Sequence, residues 1–147
     1  MPCVDWAQHI QKRVALDKKR PYQNRGVTSV VADFIEWVPD QQYDIVLCLQ
    51  VLEHIKDANL FAKKLLDCGS IVIISVPYKW DEGKTKNHIH DPVDRAKLYD
   101  GFGREPNFEY IATEVLAPAD RIIQVYEPFL EKWTGLNRRA VILKSKL

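Results

Sequence analysis

Val27-Thr28-Ser29-Val30-Val31-Ala32-Asp33, Tyr43-Asp44-Ile45-Val46-Leu47-Cys48-Leu49 and Ile71-Val72-Ile73-Ile74-Ser75-Val76-Pro77 are three short apolar runs inside one stretch of chain. Their lengths and β-branched content are those of strands. The second and third are almost continuously apolar, as expected of parallel strands covered on both faces. Between them, Ala58, Phe61, Ala62 and Leu65 recur at helical spacing over Asp57 to Leu66, with Asp57 placed to cap the start and Gly69 to close the end. Strand, helix, strand at these lengths is a βαβ unit with a right-handed crossover. The fold class is therefore α/β with a mostly parallel sheet.

Outward from this unit, Asp5 to Arg20 carries Ile10, Val14 and Leu16 among Lys, Arg and Gln, a pattern that predicts an amphipathic helix halted by Pro21. Downstream, Tyr78 to Asp94 is polar, contains Gly83, Pro92 and two histidines, and reads as a long surface loop. Strand candidates follow at Phe108 to Leu116, Arg121 to Tyr126 and Ala140 to Lys144, with a helix left open for the second of these. No internal repeat or composition shift divides the 147 residues, so one domain is expected over 1–147.

Hydrophobic residues at 46% and charged residues at 28% exclude wholesale disorder and fibrous repeats. The net charge of +1, from 21 Lys plus Arg against 20 Asp plus Glu, gives no pull toward nucleic acid or an acidic membrane. Cys3, Cys48 and Cys68 are odd in number and lack Cys-x-x-Cys spacing, which argues against a disulfide framework or a cysteine zinc site and fits a reducing cytoplasm. No apolar run approaches the roughly 18 residues that span a bilayer.

In open α/β sheets ligands bind beyond the carboxyl ends of the strands, where strand order reverses. An acidic residue at such an end can bind a ribose diol or an adenine amino group. Asp33 follows the Val27 to Ala32 strand directly, and Asp5 follows Cys3-Val4. Taken singly, an Asp after a strand more often caps a turn. His88, His90, Asp91 and Asp94 form a His-x-His-Asp group with tempting ligand types, but spacing alone does not supply converging geometry, and a polar loop without metal is expected.

Cys3-Val4-Asp5-Trp6, Val31-Ala32-Asp33-Phe34, the run from Tyr43 to Leu49 with Gln50-Val51-Leu52-Glu53-His54, and Ser70 to Pro77 stand in the order and at the intervals of successive blocks of class I S-adenosylmethionine-dependent methyltransferases, which this chain resembles over roughly residues 3 to 80. The resemblance implies a partial Rossmann-like methyltransferase fold with helices on both faces of the sheet and S-adenosyl-L-methionine as cofactor. It implies that Asp5 holds the ribose hydroxyls, Trp6 lies against the adenine, Asp33 and the Phe34 backbone read the adenine edge, and Leu49 and Gln50 line the methionine end. His54, His90 and Asp91 are the candidates for a base. The Asn-Pro-Pro-Tyr pattern of amino-group methylases does not follow the strand leading to Gln50, which favours a small-molecule, sugar or lipid-linked acceptor on oxygen.

The family's glycine-rich cofactor loop belongs upstream of Asp5, whereas all six glycines, from Gly26 to Gly135, lie downstream. The resemblance thus implies an N-terminally truncated domain lacking its first strands, with the Val27 to Ala32 strand left unpaired. Losing two charge-assisted hydrogen bonds of about 2 kcal/mol each would weaken cofactor binding roughly a thousandfold. Two further readings follow: a non-catalytic partner that completes its sheet with a complementary chain or a second copy of itself, and a separate hydrolase or metal enzyme built on the His88 loop.

Overall fold

The computed structural model describes residues 8–113, 119–127 and, as backbone only, 139–144. The elements run β1 (Lys12–Asp17), β2 (Thr28–Val31), β3 (Tyr43–Leu49), a single 3-10 turn (Leu52–His54), α1 (Ala58–Cys68), β4 (Gly69–Pro77), α2 (Arg95–Phe102), β5 (Phe108–Thr113), β6 (Asp120–Tyr126) and β7 (Arg139–Lys144). All seven strands join one sheet in the order β2-β1-β7-β3-β4-β6-β5. The first five strands in that order are parallel, and β6 and β5 close the sheet in antiparallel fashion.

The central βαβ unit follows the sequence pattern closely. Asp57 caps α1 by accepting the Leu60 N–H at 3.0 Å, and Phe61, Ala62, Leu65 and Cys68 form its buried stripe. Burial alternates along β3 and β4, with Val46, Cys48, Val72, Ile74 and Val76 inside and Ile45, Leu47, Ile71 and Ile73 only half-buried. The buried set joins α1 and the Phe34, Leu98 and Phe102 side chains in one core. Both described α-helices serve that face, so the expected helical cover of both faces is met on one face by the described residues.

Two local expectations need correction, and one open choice is resolved in favour of a strand. The region read as a helix from Asp5 to Arg20 contains β1 instead. Val14, Ala15 and Leu16 are buried at three successive positions, which suits an interior parallel strand covered on both sides rather than a helix with one apolar stripe. Gly69 is no left-handed helix stop: its backbone is extended and opens β4 directly. Glycine is needed there for room, because a Cβ would lie 2.6 Å from a Val46 methyl. Arg121 to Tyr126 is strand, paired with β4 and β5.

The largest correction concerns the missing strands. The β2 strand is not unpaired: it lies along β1 with Val14 opposite Thr28 and Asp17 opposite Val31. Between β1 and β3 the sheet is filled by β7, whose backbone pairs with both. The two positions assigned to absent strands are thus taken by this chain's own segments. Between β2 and β3 the sheet is continuous without a strand from a complementary chain.

Helix α2 was not anticipated. Its signals are Asp94, which caps it by accepting the Lys97 N–H at 3.0 Å, and Gly103, which ends it at φ 66° in the left-handed region glycine favours. Among the described residues no helix is long and apolar enough to cross a membrane.

Candidate active site

From β1 the chain moves outward to β2 at the sheet edge, then crosses back to β3 and continues in the opposite direction to β4. This reversal is a topological switch point, and its crevice opens at the carboxyl ends of β1 and β3, on either side of β7. In register, Leu16 and Cys48 both pair with Leu143. Asp17 and Leu49 therefore stand at one level, two strand spacings or about 9.5 Å apart. That span suits a nucleoside lying across the strand ends.

Asp17 was missed in the sequence because its strand was taken for helix. Its Oδ1 accepts the Lys19 and Arg20 N–H groups, each at 2.7 Å, so the carboxylate is fixed at the strand end by the turn that follows. Asp33 lies beyond the neighbouring strand, where Oδ1 accepts the Ile35 N–H at 3.0 Å and Oδ2 meets the Lys18 ammonium at 2.7 Å. The Lys18 hydrogen bond holds the Asp33 carboxyl below its usual range. Lys18 is largely exposed, and solvent screens such a surface pair, so a ligand amino group can displace it.

Phe34 is a core residue, its ring 4.5 Å from Phe61 and 6.2 Å from Trp37, leaving its backbone as the part able to read an adenine. Gln50 directly follows β3 with φ 57°, a left-handed conformation unusual outside glycine. Its N–H donates to the Ser75 carbonyl at 2.8 Å and its Nε2 to Ser75 Oγ at 2.6 Å. These bonds pin the turn so that the chain leaves the strand sharply at the crevice. Asp5 and Trp6 lie outside the described residues.

The three base candidates are brought near one another by the loop from Tyr78 to Asp94, which packs beside the 3-10 turn. The Ile89 N–H donates to the Glu53 carbonyl at 3.0 Å, His54 Nδ1 bonds the Asn87 carbonyl at 2.9 Å, and His90 Nε2 bonds the Ile55 carbonyl at 2.6 Å. Asp91 is buried with Oδ2 2.8 Å from His88 Nδ1. Asp94 leaves the group to cap α2. A cleft of about 390 Å³ lies alongside, lined by Glu53, His90, Val76, Lys97, Leu98 and Phe102 among others. Of the three candidates, His90 is the one that lines it. The buried thiols Cys48 and Cys68 are raised by desolvation, Cys68 to about 11, and neither is a poised nucleophile.

Glu53 is 1% exposed, and neither carboxylate oxygen has a hydrogen-bond partner among the described residues. Burial raises its pKa, with His54, His88 and Arg121 opposing the shift. The native state then holds the Glu53 proton more tightly than the unfolded chain, so stability falls as pH rises from the unfolded value of 4.5 through the folded one. In protein stripped of divalent ions, Glu53→Gln is expected to melt higher than wild type at neutral pH and to flatten this fall. Thermal melts of both proteins from acid to neutral pH measure it; equal slopes would contradict it.

No family model matches the chain. A protein of Papaver bracteatum named for (S)-tetrahydroprotoberberine N-methyltransferase activity is 32% identical over 79 residues, 53% of this chain and 22% of the relative. The chain spans about a fifth of that curated relative's length. Among solved structures, a Listeria monocytogenes protein assigned as an S-adenosylmethionine-dependent methyltransferase superposes with a TM-score of 0.58 at 17% identity, over 85% of this chain and 84% of that one. This chain has the S-adenosylmethionine-dependent methyltransferase fold. The N-methyltransferase NodS from Bradyrhizobium japonicum WM9, solved with S-adenosyl-l-homocysteine, superposes with a TM-score of 0.54 at 7% identity, over 69% of this chain and 54% of NodS. The methyltransferase-fold resemblance read from Asp33, the β3 run and Gln50 to His54 is borne out at the level of fold.

Proposed function

We propose that the chain is a single methyltransferase-like domain that binds S-adenosyl-L-methionine at the β1/β3 switch point and acts on a small molecule. The observation that carries this reading is the pair of carboxylates, Asp17 and Asp33, at the carboxyl ends of adjacent strands beside the crevice. Their chemistry fits the cofactor's two polar edges. With Asp17 Oδ1 engaged by its own turn, Oδ2 accepts the ribose hydroxyls, the role the family resemblance implied for Asp5. Asp33 and the Phe34 backbone meet the adenine edge, while Leu49 and Gln50 border the methionine end.

When bound, the cofactor supplies an electrophilic methyl group for in-line displacement, so the protein's task is positioning an acceptor and removing its proton. His90 is the base this reading favours, since it lines the cleft and its Nε2–H is committed to the Ile55 carbonyl, leaving Nδ1 to accept a proton. His54 faces the buried Glu53, and Asp91 is engaged with His88. The Papaver relative and NodS both carry N-methyltransferase in their names, which sets a small-molecule nitrogen beside the oxygen acceptor expected from the sequence.

Calorimetric titration with S-adenosylhomocysteine tests the reading, with Asp33→Ala alongside. Micromolar binding by wild type, weakened at least tenfold by the variant, is the expected result. No heat up to millimolar ligand would reject the cofactor site.

A further inference from the structure

We propose that Glu53, His54 and His88 form a binding site for a first-row divalent transition-metal ion, with zinc as the reference ion. One donor atom from each lies within 4.8 Å of the others. The histidine tautomers make this arrangement more than proximity. The Asn87 carbonyl can only accept, so His54 carries its proton on Nδ1 and turns the lone pair of Nε2 inward. That nitrogen is 4.0 Å from Glu53 Oε1 and has no hydrogen-bond partner among the described residues. His88 Nδ1 faces Asp91 Oδ2 at 2.8 Å, which places the His88 lone pair on Nε2. Glu53 and His54 Nε2 thus meet in the interior with no hydrogen-bond partner for the carboxylate oxygens or the ring nitrogen among the described residues, and the His88 ring lies 4.9 Å from that of His54.

A cation resolves that conflict. Two imidazoles and one carboxylate are a donor set shared by zinc and its first-row neighbours. Asp91 supplies the outer carboxylate that fixes the ring and basicity of a metal-bound histidine. Trp80 stacks on His88 with ring centroids 5.7 Å apart and is itself held by its Nε1–H donating to the Asp120 carbonyl at 2.8 Å, so the His88 ring is fixed on both sides. Donors about 2.1 Å from one tetrahedral ion stand roughly 3.4 Å apart. The present spacing closes to that with side-chain shifts of about 1 Å, and a water completes the fourth position. Bound metal would rivet the Tyr78 to Asp94 loop to the end of β3. The inference rests on this buried cluster and stands whether or not the domain transfers methyl groups.

The His-x-His-Asp group is thereby divided. His88 ligates, Asp91 supports it, His90 turns away to the Ile55 carbonyl, and the remaining ligands come from Glu53-His54, which sequence spacing could not join to it.

The test is titration of chelator-stripped, full-length protein with Co(II), followed by competition with Zn(II). The expected result is visible d–d absorption saturating at one equivalent, with zinc displacing cobalt and binding weakening as pH falls and the histidines protonate. Glu53→Gln and His88→Gln abolish the bands, Asp91→Asn weakens binding about 10–100-fold, and His90→Gln leaves it unchanged. Circular dichroism confirms that each variant is folded. Absence of d–d bands and of zinc binding in wild type, or metal binding that survives both Glu53→Gln and His88→Gln, would overturn the proposal.

Discussion

Asp17→Ala is expected to weaken S-adenosylhomocysteine binding by at least a hundredfold, the largest effect of any single substitution at the crevice. A ribose diol on a carboxylate makes charge-assisted hydrogen bonds of about 1.5–3 kcal/mol each, and every 1.4 kcal/mol lost is a factor of ten. The substitution also releases the Lys19 and Arg20 N–H groups that Oδ1 now accepts. Asp17→Asn separates the two effects: its amide oxygen can keep the turn while the negative charge is gone. Both variants should bind weakly, and the Asn variant should melt closer to wild type. Asp40→Asn is the control, because Asp40 precedes the amino end of β3, bonds Lys12 and Tyr43, and lies at the opposite ends of these strands from the crevice. Undiminished binding by Asp17→Asn would remove Asp17 from the ribose role and leave Asp33 without its partner.

Phe61→Ala is expected to give the largest loss of stability, about 3–4 kcal/mol, seen as a fall of roughly 10 °C in melting temperature. Phe61 is 3% exposed, and its ring is in contact with Phe34. Truncation leaves a cavity between α1 and the turn that carries Asp33. The same substitution should therefore also weaken nucleoside binding, whereas an equally deep truncation at Phe102, stacked on Tyr126 at 4.2 Å and remote from that turn, should lower the melting temperature with little effect on binding. Chemical denaturation followed by calorimetry at a temperature where both variants stay folded distinguishes them. Equal binding losses for the two would mean that general loosening, not the Phe34 contact, is responsible.

Strand β3, strand β4 and helix α1 were legible because each carries its pattern locally: β-branched runs of strand length, a 3.6-residue stripe ending at Leu65, and a capping Asp57 whose partner is three residues away. The strand-end positions of Asp33, Leu49 and Gln50 were legible for the same reason, since each lies within a residue or two of a strand's carboxyl end. Helix α2 was overlooked although Asp94 and Gly103 mark its ends, because its apolar positions are few and Gly101 sits within it.

Only the tertiary structure could decide the rest. The sequence by itself determined the fold class, the βαβ unit at its centre and the direction in which the strand ends point. Whether Lys12–Asp17 was helix or strand depended on β2 and β7 flanking it, because an apolar triplet bounded by charges satisfies either period until its neighbours are known. With that strand came Asp17 and the complete switch point, whose central position is filled by backbone 127 residues farther along the chain, Val14 pairing with Val141. The buried cluster shows the same limit at the scale of atoms. Glu53-His54 and His88 are separated by α1 and β4, and their convergence, like the tautomer that turns the His54 lone pair inward, is fixed by hydrogen bonds to Asn87 and Asp91 that exist only once the loop has packed against the end of β3.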